Sequence, residues 1–226
     1  LTEALAAEGN GTHLWFVGDP DQPGSELRRS VQLHRWAQWV SRDYPGGVYD
    51  GELRKSSEFA YSLPPFLMRE FLIPHIRQGG HAVVLAEEWQ TVDAVLHLDH
   101  LLRAEEVRDR VSILWNANNI FGFERIQWDR LASASIITTV SRYMKYRMRS
   151  LGVNPLVIPN GLPDDAFAPP NKAALMEFMR RFWGRTLLTK MARWDPDKCW
   201  LAAVDIVAEM KRRNLRPLLI ARGGNE

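Results

Sequence analysis

Leu187-Leu-Thr-Lys-Met-Ala-Arg193-Trp-Asp-Pro-Asp-Lys198 reads as a buried strand that ends at an arginine, turns, and enters a helix with a lysine in its first turn. Asp195 suits the cap of that helix, and Pro196 suits its first position, where a missing N–H costs nothing. Free backbone N–H groups and the positive end of the helix would then face whatever sits above the strand. The forked guanidinium of Arg193 and the ammonium of Lys198 complete a site suited to a diphosphate. The same pattern also serves an arginine that snorkels, or one that pairs with a surface carboxylate.

Working outward, strands and helices alternate. His81–Ala86 is a continuous apolar run, expected to be a parallel strand buried on both faces. It follows a helical pattern over Pro64–Arg77 that Pro74 interrupts and Gly79-Gly80 closes. Thr91–Arg103 reads as a helix, Val111–Trp115 and Ile136–Val140 as strands, and Ser141 as the cap of a helix whose Met144, Met148 and Leu151 form an apolar stripe. Gly152 ends that helix, and Leu156–Pro159 is a short strand. Leu162–Asn171, rich in Pro and Asp, reads as a linker. Beyond it come a helix over Lys172–Phe182, a strand over Thr186–Ala192, a helix over Pro196–Arg213 and a strand over Arg216–Ala221. Earlier, Leu1–Gly9 reads as the tail of a helix and His13–Val17 as a strand. The alternation predicts an α/β fold with parallel, Rossmann-like sheets. The expected domains are 1–161, a linker 162–171, and the opening of a second domain over 172–226.

Composition narrows the function classes. Of the 226 residues 46% are hydrophobic, enough for a packed core, and the net charge of +2 does not suggest bulk nucleic-acid binding. The single cysteine, Cys199, excludes an internal disulfide and fits a reducing compartment. With no signal peptide and no apolar run long enough to span a bilayer, the expected location is cytoplasmic.

Three segments in order, Thr139-Val-Ser-Arg-Tyr143, Val157-Ile-Pro-Asn-Gly161 and Ala192-Arg-Trp-Asp-Pro-Asp-Lys198, resemble the family-4 retaining glycosyltransferases of the GT-B fold, the glycogen-synthase-like group. The resemblance is clearest from Val83 onward. It implies two Rossmann-like domains facing a cleft, with a "TVS" strand end opening a helix, a "VIPNG" strand leading to the domain junction, and an Arg-x4-Lys pair holding the diphosphate of a nucleotide sugar. Arg193 and Lys198 match that spacing, and Asn160 and Gly161 match the hinge. By pattern alone, Asn160-Gly161 is also a turn that favours positive φ. Both ends read as cut: a first strand and Gly-rich turn are expected before Leu1, and further β-α units and the family's donor-binding glutamates after Gly223-Gly-Asn-Glu226.

Candidate site residues lie at strand ends, where open α/β sheets bind ligands. Glu87-Glu88-Trp89 follows one such strand. The two glutamates are adjacent and point opposite ways in extended chain, so they form no acid–base pair. Where the family often reads "HDW", Glu88 and Trp89 are expected on the acceptor-side wall; Glu88 as a helix cap or surface ion pair is the competing reading. Trp115-Asn116-Ala-Asn118-Asn119 offers amides for sugar hydroxyls, or turn residues bonding their own backbone. Alignment on Asn116 puts Trp115 where many family members carry a histidine beside the transferred sugar. His97 and His100 share a helix face with Asp93, a spacing that can ligate a metal, but no third ligand is identifiable and no metal is expected. Arg142, Lys145, Arg147 and Arg149 crowd one helix, as in helices that lie on anionic membranes or in ordinary solvated ones.

The resulting expectation is a hexosyltransferase-like enzyme. It needs no cofactor beyond its nucleotide-diphosphate-sugar donor, and its acceptor is a glycan, lipid or small molecule. Peripheral membrane contact is one open possibility among its partners; nucleic acid is not among them. The alternatives are a non-catalytic sugar-binding module and another GT-B enzyme such as a sugar-nucleotide epimerase.

Overall fold

A computed structural model describes residues 1–47 and 49–224; Asn225 and Glu226, part of the chain end read above, lie outside the described residues. The chain falls into two compact units, Leu1–Gly161 and Leu162–Glu226.

The first unit begins with α1 (Thr2–Ala7), β1 (Thr12–Val17), β2 (Ser25–Arg28) and β3 (Val31–Trp36). β3 pairs parallel with β1 and antiparallel with β2, giving a three-stranded sheet of order β1-β3-β2. The β2–β3 hairpin turns through Arg29 and Ser30, both at positive φ (47° and 65°). Short hairpin turns of that kind match the right-handed twist of their strands. After a short α2 (Gln38–Ser41), α3 (Glu52–Leu67) runs through a π-helical turn at Met68–Leu72 into α4 (Ile73–Arg77). Helix α3 contains Pro64 and Pro65. Pro64 has no N–H for the carbonyl of Ala60 one turn earlier, and that carbonyl instead accepts from His97 Nδ1 at 2.9 Å.

The second half of this unit is a four-stranded sheet: β4 (Ala82–Glu87), β5 (Val111–Ala117), β6 (Ile136–Thr139) and β7 (Leu156–Val157). All pairings are parallel, and the spatial order is the chain order β4-β5-β6-β7. Helices α5 (Val92–Ala104), α6 (Trp128–Ala134) and α7 (Arg142–Arg149) make the crossovers. Right-handed connections between successive neighbours place all three on one face. One core results, built from Val95, Leu98 and Leu102 of α5, Leu131 of α6, Met144 and Met148 of α7, and Val111, Ile113, Trp115 and Ala117 of β5. The expectation of burial on both faces fails for β4: Ala82, Val84 and Ala86 pack on the core, whereas Val83, Leu85 and Glu87 are exposed. The helices cover only the side that the odd residues of β5 face.

The second unit holds a 3₁₀ turn at Asp164–Phe167, α8 (Lys172–Arg181), β8 (Thr186–Met191), a 3₁₀ turn at Pro196–Lys198, α9 (Trp200–Arg212) and β9 (Pro217–Arg222). Strands β8 and β9 pair in parallel, so this is a β-α-β unit. Neither α8 nor α9 has a buried residue. Among the described residues, no helix is long and apolar enough to cross a membrane. Each unit is α/β, and the parallel four-stranded sheet with its crossover helices is compatible with a Rossmann-like fold; the expectation of parallel sheets fails for the first sheet, whose β2–β3 pairing is antiparallel.

Candidate functional site

In the first unit the candidate residues gather at the carboxyl ends of β4, β5 and β7. The chain leaves β4 at Glu88 with φ 66° and ψ 164°, a region occupied almost only by glycine. The surroundings over-determine it. Its N–H donates to the Asn116 carbonyl (3.0 Å). Its own carbonyl accepts from Trp115 Nε1 (3.1 Å), Thr91 N (3.1 Å) and Thr91 Oγ1 (2.9 Å). Its carboxylate accepts from Asn118 N (2.9 Å) and Asn119 Nδ2 (3.0 Å). Glu88 therefore clamps the loop after β5, and the helix-cap reading is corrected. Burial pushes its carboxyl above the usual range, against the lowering effect of the hydrogen bonds from Asn118 and Asn119.

The amides divide by role. Asn119 is a turn residue: its Oδ1 accepts from Phe121 N (2.7 Å) while its Nδ2 holds Glu88. Asn116 lies on the uncovered side of the sheet, in register with Thr138, whose hydroxyl donates to Asn116 Oδ1 (3.0 Å). Asn118 Oδ1 receives two long contacts, from Asn116 Nδ2 (3.4 Å) and Asn160 Nδ2 (3.5 Å). Contacts of that length are weak and readily exchanged for ligand hydroxyls. Thus Glu88, Asn116, Asn118, Asn119 and Asn160 come together, with Thr138 added by the structure. Register could have suggested Thr138, since it sits at the matching position of the next strand.

Two expectations about aromatic residues change. Trp115 is fully buried, with its ring edge-on to Trp128 at 5.8 Å. Strand alternation points it into the helix-covered core, away from Asn116, so it cannot take the place of a sugar-facing histidine. Trp89 is not an open wall either. Arg125 lies over its ring at 4.4 Å, and a Cβ on Gly122 (φ +74°) would stand 2.3 Å from that ring. Trp89 supports the loop from Gly122 to Arg125. The Asn160-Gly161 pair is not a positive-φ turn, because neither residue has positive φ. His97 is a substitute backbone donor for α3, and among the described residues no group of three or more His, Cys, Asp or Glu could hold a metal ion.

In the second unit the helix begins later than expected. Asp195 Oδ1 accepts from Asp197 N (3.0 Å), but the element it caps is the 3₁₀ turn Pro196–Lys198. Cys199, at φ 52°, separates that turn from α9. The amides of Lys198 and Cys199 bond the carbonyls of Asp195 and Pro196 at 3.0 Å each. Together with the Asp197 amide, these donors are committed within the turn, so the expected row of free N–H groups is absent there. What remains is the cation pair. Lys198 Nζ lies 2.7 Å from Asp197 Oδ2. The Asp197 carboxyl falls below its usual range, chiefly through that hydrogen bond, and the charge of Arg193 lowers it further. Both cations of the Arg-x4-Lys spacing therefore act on one carboxylate. The backbone of Arg193 is fixed by Trp200 Nε1, which donates to its carbonyl at 2.6 Å, and the Trp200 ring packs tilted against Trp194, with centroids 4.3 Å apart.

No known protein-family model matches the chain, and no curated protein matches it.

Proposed function

We propose that this chain belongs to a retaining glycosyltransferase of GT-B type, transferring a hexose from a nucleotide-diphosphate sugar to a hydroxyl-bearing acceptor. The observation that carries this reading is the placement of two cations around the turn after β8: Lys198 pairs with Asp197 at 2.7 Å, and Arg193, just beyond the strand, is near enough for its charge to act on the same carboxylate. Two cations whose charges act on one exposed carboxylate offer the positive field that a diphosphate needs, with its oxygen in the place of that carboxylate. The amide cluster of Asn116, Asn118 and Asn160 adds neutral donors and acceptors suited to hydroxyls. In this reading the glycosidic bond to the diphosphate breaks as the acceptor oxygen bonds the same face of the sugar carbon. The acceptor proton passes to the departing phosphate. Arg193 and Lys198 stabilise the charge that develops on that leaving group. Glu88 acts as a positioning residue, holding the loop that presents Asn118.

The test is calorimetric titration of UDP-, GDP- and ADP-sugars into the chain and its Arg193→Ala variant. One nucleotide class should bind, and the variant should weaken it by roughly tenfold to a hundredfold, as expected for hydrogen bonds to a charged group. Turnover, where measurable, should fall by about two orders of magnitude or more. Binding that Arg193→Ala leaves unchanged would place the diphosphate elsewhere and overturn the assignment. A second reading, a sugar-binding module without catalysis, is favoured by the Lys198–Asp197 ion pair if that pair is a permanent surface cluster. It predicts that sugars bind through the amides while no nucleotide sugar does.

A further inference from the structure

Helix α7 repeats its cations at helical spacing. Arg142, Lys145, Tyr146 and Arg149 stand at i, i+3, i+4 and i+7, which places them on one face. The opposite face buries Met144 and Met148 in the core. The outward row borders a groove of about 370 Å³ lined by Arg142, Lys145, Tyr146, Arg149 and Val157, between α7 and the edge strand β7. Tyr146, in the middle of the row, is 74% exposed, and Leu151 lies exposed just beyond the helix. Arg147 donates to the Tyr143 hydroxyl at 3.2 Å. Among the described residues, no carboxylate forms an ion pair with any of the four cations.

The charge is segregated along the chain as well. From Arg130 to Pro163 there are five cations and no Asp or Glu, although the whole chain has a net charge of only +2. The remainder is therefore net negative. A uniformly solvated surface would interleave both signs, as α8 does with Arg180 and Glu177 at 2.8 Å.

We propose that the α7–β7 face docks on an anionic lipid bilayer. The cation row meets the headgroup phosphates, and Tyr146 sits at the headgroup level with its ring toward the acyl chains. The exposed aromatic and Leu151 favour a bilayer over a free phosphate or a nucleic-acid backbone, neither of which offers an apolar layer beneath its charges. This docking is independent of the glycosyl-transfer reading: it uses no residue of the Arg193–Lys198 pair or the amide cluster.

The experiment is co-sedimentation with vesicles of phosphatidylcholine alone, or of phosphatidylcholine mixed with phosphatidylglycerol, at low and physiological salt. The protein should bind only the anionic vesicles, and salt should weaken binding. Each cation near such a surface contributes roughly fivefold, so the double variant Lys145→Gln/Arg149→Gln should lose about twenty-five-fold. The double variant Arg28→Gln/Lys211→Gln removes the same charge elsewhere and should change binding little. Tyr146→Ser should weaken vesicle binding. Equal binding to both vesicle types, or equal losses in the two double variants, would overturn the proposal. So would binding of inorganic phosphate or an oligonucleotide that depends on Lys145 and Arg149 while vesicles do not bind.

Discussion

Replacing Glu88 by alanine and by glycine separates two quantities that usually travel together. At φ 66° and ψ 164° the residue occupies backbone space that costs a non-glycine side chain about 1–3 kcal/mol. Both substitutions remove the same carboxylate and its two hydrogen bonds, from Asn118 N and Asn119 Nδ2. At a half-buried site that loss is about 1–2 kcal/mol per bond. Only Glu88→Gly also releases the backbone strain. Glycine costs about 0.5–1 kcal/mol through the greater freedom of its unfolded chain, the usual reason it is the worse residue. Subtracting that cost from the strain leaves E88G more stable than E88A by roughly 0.5–2 kcal/mol, the reverse of the ordinary order. The assay is urea denaturation followed by tryptophan fluorescence, for which Trp115, fully buried and bonded to the Glu88 carbonyl, is a local reporter. Midpoints should rank parent, then E88G, then E88A, with the same slope. If E88A proves as stable as E88G or more so, the backbone at this position is not strained, and the clamp argument fails with it.

Other outcomes follow from features away from that residue. Asp197→Asn removes the carboxylate that pairs with Lys198 and competes for the charge of Arg193, so nucleotide-diphosphate affinity should rise a few-fold by calorimetry; a fall would make Asp197 part of the binding site. His13 and His34 share a ring-nitrogen contact of 2.9 Å, His34 stacks on Trp15 at 3.8 Å, and burial holds both imidazoles below their usual range. The fold therefore prefers them neutral, and their contribution is present above about pH 6.5 and lost as pH falls through the lowered values. A melt at about pH 5 should show a drop that His34→Phe diminishes. Asp99 bridges Arg103 (2.7 Å) and Arg108 (2.5 Å). Burial tends to raise its carboxyl, but the two arginines outweigh it and hold it low. Its stabilisation is thus present above the ordinary aspartate range and lost as pH falls through the lowered value. Asp99→Ala should cost about 1–2 kcal/mol in urea, because Arg103 stays largely solvated, without altering sugar or nucleotide binding.

The strands of the four-stranded sheet were legible because each is a short apolar run bounded by polar turns. Val111–Ala117 and Ile136–Thr139 show this plainly. The helix at Arg142–Arg149 was legible from its serine cap, whose hydroxyl accepts from Met144 N at 3.2 Å. The β2–β3 hairpin was not, although Val31–Trp36 alternates as a strand should, because its turn uses Arg29 and Ser30 where Asn-Gly would have announced it. The start of α9 was misread because a capping Asp followed by Pro suits a 3₁₀ turn as well as an α-helix, and the left-handed Cys199 carries no sequence signature. In the site, strand ends drew attention to Glu88 and the asparagines. The positive φ of Glu88 and the inward side of Trp115 depend on register and on neighbours from other strands. No local pattern encodes those.

The chain-order arrangement of β4, β5, β6 and β7 also bears on how the molecule comes into being. Each new strand pairs with the one made just before it, so every step closes a single crossover, and short closures are fast. Glu88 is synthesised at the end of β4, before any of its partners on β5 or the loop beyond. At that moment nothing opposes its preference for ordinary backbone. The kink can set only after β5 has docked, when Asn118 and Asn119 close on the carboxylate, so its contacts follow the pairing that starts the sheet. Substitutions at Glu88 should then leave the folding rate nearly unchanged and act on the rate of unfolding.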